Sequence, residues 1–308
     1  MPHDPDCVNY KYPPSLFSLC IVLFFGSVLS GCELSQAERW LTPDPRLGSD
    51  LTALVSYTIH DGELTQPIQY QVSPEHLDAQ ADRSQHEAIW NYARAIFTSQ
   101  STHLRTFTIF TDGEDEAMAS VFQMDTDPYA WTLAVDIYDA FDAEGELFES
   151  ELQYTLVHEF GHLLSLNPAQ VRVDESFFGM EEDELVFEAK KMACETLFLQ
   201  EGCTKSDSLI NQYYALFWLE IQDEFEAVDA IEDDEARDEA KAAFFESYSD
   251  QFITPYAATN VTEDFAESWT HFILYERSQG DRIVDEKIEF FYDSDALQTL
   301  RDQIRSTL

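Results

Sequence analysis

The segment TLVHEFGHLLSL, Thr155–Leu166, places two histidines four residues apart with a glutamate beside the first, in an otherwise apolar run. On a helix His158 and His162 project from one face, so their imidazoles can converge on a single ion. Glu159 then stands beside them, close enough to take a proton from a water the ion has acidified. Two neutral nitrogen ligands and an adjacent carboxylate are what a zinc hydrolase requires, but the set still lacks a third ligand. Far downstream, TPYAATNVTEDFAESWTHFIL, Thr254–Leu274, carries Glu263 and Glu267 four apart on an expected helix, with Asn260 as a cap and Tyr256 ahead of it. One carboxylate would complete a two-histidine, one-glutamate set and leave a fourth position for water. A second, one turn away, can accept the N–H of a ligating imidazole and fix its tautomer. A tyrosine hydroxyl can stabilise the oxyanion formed when a peptide carbonyl is attacked.

Together these segments resemble the catalytic domain of anthrax lethal factor and similar gluzincin zinc peptidases, where HEFGH is followed by a tyrosine, an asparagine and a glutamate ligand in a segment ending Phe-Ala-Glu. The resemblance is confined to these two windows. It implies zinc ligation by His158, His162 and Glu263, general-base work by Glu159, oxyanion stabilisation by Tyr256 and a supporting role for Glu267. It also implies an α+β, zincin-like fold. The stretch between the motifs is longer than in lethal factor, which implies a helical insertion at about 175–250 of the present chain. Thermolysin-like enzymes place their third ligand nearer the histidine helix, where Glu181, Glu182, Glu184 and Glu188 stand, but the pattern around that ligand is missing. A metzincin-type third histidine would need a glycine in place of Ser165 and a histidine in place of Pro168. His271 reads as a partly buried helix residue just past the site.

The elements that must position these groups are legible as periodicities. LVSYTIH from Leu54 and IQYQV from Ile68 alternate like strands, with the Asp61-Gly62 pair between them suited to a turn. Ser84–Ser99 has helical spacing, and RTFTIFTDG, MASVFQM and WTLAVDIYDA read as three further strands. In the last, Trp131, Leu133, Val135 and Ile137 share one face, and the segment is a candidate edge along which an extended peptide could pair. Ser150 and Gln153 are spaced as a capping box at the start of the histidine helix. From Val186 to Ser247 the pattern is mostly helical; its acidic run lacks the glycine-containing spacing of a calcium loop and reads as a solvated face.

Composition and the N-terminus give an address. Sixty acidic residues against 17 basic ones, net charge −43, repel nucleic acid and anionic surfaces, so nucleic-acid binding is not expected. LFSLCIVLFFGSVL, Leu16–Leu29, is too short to span a bilayer comfortably but suits a signal-peptide core, and Leu29-Ser30-Gly31-Cys32 resembles the bacterial lipobox. The expected organisation is a lipoprotein signal peptide over 1–31, lipid on Cys32, a tether over 32–50 and a peptidase domain over 51–308. Outside the cytoplasm Cys194 and Cys203 are expected to form a disulfide; a metal site built from two thiols is the poorer alternative. The function these features imply is zinc-dependent peptide hydrolysis, on a peptide or protein substrate, at a cell envelope to which the lipid holds the chain. The rival is a lipid-anchored binding or adhesion protein with a structural or vestigial zinc site; hydrolysis of a non-protein amide such as a peptidoglycan cross-link is a weaker one.

Overall fold

Alternation in the first third of the chain resolves into strands. β1 (Thr52–His60) and β2 (Glu63–Gln69) form a hairpin. Its two linking residues, Asp61 and Gly62, have φ of 52° and 80°; turns of this kind match the twist of paired strands and suit an Asp-Gly pair. The tight turn fixes pairing from His60–Glu63 outward, so β2 begins before the IQYQV alternation. The computed structural model describes residues 44–48, 51–97, 102–113, 117–175 and 184–308. The apolar run at Leu16–Leu29 and Cys32 lie outside them, and among the described residues no helix is long and apolar enough to cross a membrane. Within the stretch read as a tether, Leu47 is buried against Ala53, Tyr70, Phe110 and Ala134.

After a short α1 (Leu77–Ala81), α2 (Arg83–Phe97) buries Ile89, Trp90, Ala93, Ile96 and Phe97 in the main core. β3 (Leu104–Thr111), β4 (Ala119–Met124) and β5 (Asp127–Asp136) complete a five-stranded sheet of order β2-β1-β3-β5-β4, antiparallel except for the β3–β5 pair. WTLAVDIYDA is therefore not an edge. Trp131, Leu133 and Val135 face the main core, while Ala134 packs into the smaller cluster around Leu47. A strand covered on both faces reads as a nearly continuous apolar run. Among the described residues the outermost strand on this side is β4, whose side chains are mostly half-buried.

α3 (Glu149–Leu166) carries HEFGH through the core. Its N-cap is Phe148, with no side-chain cap bond, so the Ser150 and Gln153 capping box does not form. Ser150 already lies inside the first turn, where Glu149 and Glu151 meet the positive end of the helix dipole instead. β6 (Val171–Arg172), α4 (Glu184–Ala193), β7 (Phe198–Leu199) and β8 (Gly202–Thr204) follow, the strands forming a small sheet of order β6-β8-β7. Cys194 and Cys203 are disulfide-bonded across this unit, with Cα atoms 5.7 Å apart. Gly202 has φ +129°, and a Cβ there would meet the Arg172 carbonyl oxygen at 2.5 Å, so glycine is required at this crossing.

Six helices complete the chain: α5 (Leu209–Phe217), α6 (Gln222–Asp229), α7 (Asp234–Ser247), α8 (Val261–Leu274), α9 (Ile283–Tyr292) and α10 (Asp295–Arg305). The result is a mixed sheet with helices gathered in the C-terminal half, an α+β arrangement. α8 is pinned from behind by a buried ion pair. Asp264 Oδ2 accepts from Lys287 Nζ at 2.6 Å and Trp218 Nε1 at 2.7 Å, and both charged side chains are fully buried. Lys287 Nζ also lies 4.2 Å from the Phe252 ring centroid, a favourable cation–π position. Burial pushes the Asp264 carboxyl up and the Lys287 amine down, and their mutual attraction opposes both shifts.

Candidate metal centre

The site forms where α3 crosses α8, and Gly161 sets the closeness of that crossing. A Cβ built there would lie 3.0 Å from Ala266 Cα and Trp269 Cδ1. Phe160 stacks on Trp269 beside it, ring centroids 5.6 Å apart. Any side chain at Gly161 must push the two ligand-bearing helices apart, so Gly161→Ala is expected to cost about 1–3 kcal/mol, read by denaturant unfolding. An unchanged midpoint would show that the crossing has slack.

Asn260 starts α8. Its Oδ1 accepts the backbone N–H groups of Thr262 and Glu263, each at 2.9 Å, a cap that holds Glu263 in the first turn. From there Glu263 Oε2 lies 3.0 Å from His158 Nε2 and 3.2 Å from His162 Nε2, and the two nitrogens are 3.0 Å apart. Ligand atoms held at about 2.0–2.1 Å around a tetrahedral zinc ion stand roughly 3.3 Å from one another, so the triangle has close to the size such an ion needs. Side-chain exposures of 8% for His158, 12% for His162 and 16% for Glu263 leave the triangle largely enclosed but not sealed.

The electrostatics favour a cation at the same point. Burial would lower the His158 pKa, but hydrogen bonds to Glu263 and Glu267 and the charge of Glu159 outweigh it and push the imidazole up to about 10. Glu263 is likewise desolvated, yet the two histidines hold its carboxyl well below the ordinary range. Positive charge is thus stabilised where the three donor atoms meet. Glu267 accepts from His158 Nδ1 at 3.2 Å, which leaves Nε2 for the ion. The residues present fit zinc: two imidazoles and one carboxylate, with a carboxylate behind one imidazole.

Glu159 stays outside the triangle. Its Oε2 accepts the backbone N–H of Val121, on edge strand β4, at 2.8 Å, and burial raises its pKa against the opposing charges of His162 and His158. Tyr256 stands at the rim, its ring centroid 5.8 Å from that of His158. The residue is 54% exposed, yet desolvation at its hydroxyl and the charges of Glu263 and Glu159 raise its pKa, so the phenol stays protonated as a donor. All six residues singled out from the two motifs are thereby brought to one place. His271 is not; it lies one turn past Glu267, its ring against Tyr275. Glu188 is exposed on α4. Glu181 and Glu182 fall outside the described residues, as does the side chain of Glu184.

Two groups at the site carry no sequence signature recognised above. Tyr154 donates to both oxygens of Glu267, at 3.0 and 2.9 Å, and Thr254 donates to Oε2 at 3.0 Å. Tyr154 sits one turn ahead of His158 on the same helix face, a spacing that could have pointed to it. A second carboxylate group, Asp112, Asp136 and Asp139, lies elsewhere. There Asp136 accepts from the backbone N–H groups of Asp112, Tyr138 and Asp139 and so organises its loop. No protein-family model, no curated protein and no solved structure matches the chain.

Proposed function

We propose that this chain is a zincin-like, zinc-dependent peptidase that hydrolyses peptide bonds at the bacterial cell envelope, held there by lipid on Cys32. The observation that carries the reading is the convergence of His158, His162 and Glu263 within 3.2 Å of one another, with Glu159 and Tyr256 beside them. A purely structural zinc site has no need of a base or an oxyanion donor. When bound, zinc supplies a Lewis acid that lowers the pKa of water to about 7 and polarises the scissile carbonyl. Glu159 takes the proton from the attacking water and passes it to the leaving amine, a role open to it because it stands beside the triangle without joining it. The Tyr256 hydroxyl donates to the oxygen on which negative charge develops. Glu267 keeps His158 in the tautomer and orientation that ligation needs. An extended peptide would lie along β4, the outermost described strand, because Val121 on that strand already touches Glu159.

The lipid anchor rests on the Leu-Ser-Gly-Cys sequence after the apolar core. The test of the catalytic reading is a metal assay on the full chain in detergent, run beside a peptide-library digest. About one zinc per chain is expected, and His158→Ala and Glu263→Ala should each release it, since either leaves the ligand set incomplete. Full zinc retention by Glu263→Ala would move the third ligand elsewhere. A zinc-loaded wild type that cuts no peptide would favour the lipid-anchored binding protein instead.

A further inference from the structure

We propose that Thr254 and Tyr154 are positioning residues that couple the metal centre to the rim tyrosine through the carboxylate of Glu267; this rests on the zinc reading above. Glu267 is nearly inaccessible, with 4% side-chain exposure, and takes donors from two separate elements. From α3 come His158 Nδ1 and the Tyr154 hydroxyl, and from the segment before α8 comes the Thr254 hydroxyl. Three donors on one buried carboxylate leave it a single orientation.

Thr254 does more than hold Glu267. Its hydroxyl oxygen also accepts the backbone N–H of Ala257 at 3.1 Å, the first residue of the 3-10 turn Ala257–Thr259 that follows Tyr256. One hydroxyl is therefore used in both directions, donating into the metal centre and accepting from the turn that presents Tyr256. Pro255 lies between them and restricts Thr254 to extended backbone, so this short connection has little freedom to absorb a shift. The height of the Tyr256 ring over His158 is set by the same carboxylate that sets the His158 imidazole.

The test reads zinc affinity by chelator competition on the full chain, a measurement that needs no activity, and turnover at saturating zinc. Tyr154→Phe keeps the ring and deletes one donor, and should weaken zinc binding about 10–100-fold. Thr254→Val keeps the side chain's shape and deletes both hydroxyl bonds. It should weaken zinc similarly and also lower kcat about 100–1000-fold, the effect of losing an oxyanion donor, with KM little changed. Thr254→Ser restores the hydroxyl and should recover both. In a Tyr256→Phe background Thr254→Val should lower kcat no further, because the group it positions is already gone. Wild-type zinc affinity in both Tyr154→Phe and Thr254→Val overturns the proposal, as does a Thr254→Ser no better than Thr254→Val. If wild type binds zinc but cuts no peptide, the peptidase reading and the link to Tyr256 both fail, while the affinity series still decides whether Tyr154 and Thr254 support the metal through Glu267. A wild type that binds no zinc overturns both.

Discussion

Glu159→Gln is expected to abolish peptide hydrolysis while leaving zinc bound and the fold intact. Glu159 contributes no atom to the ligand triangle, so the metal should stay. Its contact with the Val121 N–H needs only an acceptor oxygen, which an amide supplies, so β4 should stay in place as well. What the amide cannot do is accept a proton. Loss of a positioned base costs about 100–10,000-fold, and the two other carboxylates described at this site are engaged: Glu263 faces the histidines and Glu267 is occupied by three donors. Tyr256→Phe should act more mildly, about 100–1000-fold in turnover, because it removes one donor and keeps the ring. The two variants should be compared by kcat and by metal content on the same preparations. Near wild-type turnover in Glu159→Gln would assign the base to another group, and lost zinc would make Glu159 part of the metal's support.

The largest effect on stability is expected at Lys287. Lys287→Ala removes the one cation from a pair whose side chains are both fully buried, and leaves the Asp264 carboxylate, still bonded to Trp218 Nε1, without its counter-charge. Removing one partner of such a pair typically costs about 3–5 kcal/mol. The double variant Asp264→Asn, Lys287→Met should cost much less, since no charge is stranded and the Trp218 donor keeps an acceptor. Urea unfolding of zinc-loaded protein would separate the two. A loss of less than about 1 kcal/mol in Lys287→Ala would mean that Asp264 is protonated, or that water reaches it.

The parts of this site that were legible in the sequence are those in which spacing along one helix becomes spacing in three dimensions. His158, Glu159 and His162 are a helical triplet, and Asn260, Glu263 and Glu267 are a cap and two successive turns. The meeting of the two groups was not readable from spacing. It depends on how α3 packs on α8 at Gly161, and only a resemblance pointed to it. Tyr154 and Thr254 escaped notice because a tyrosine one turn from a histidine, or a threonine before a proline, is common without any role. β5 was misplaced for a different reason. Trp131, Leu133 and Val135 show the alternation of a strand, and Ala134 between them is packed against the cluster of Leu47 and Tyr70, but neither face says which strands lie on either side. Strand order is set by distant segments, and the alternation of one strand does not encode it.

His158 and Glu263 are 105 residues apart in the chain, and that separation has a consequence in time. A ribosome adding about 5–20 residues per second takes roughly 5–20 s to traverse it. During that interval the emerging polypeptide already carries the glutamate read as its hydrolytic base, but only two of the three ligands. Contacts of such long range are also among the later ones to form once synthesis ends. On the zinc reading proposed above, the metal site would stay incomplete until α8 has been synthesised, and any fragment ending before α8 would lack the third ligand.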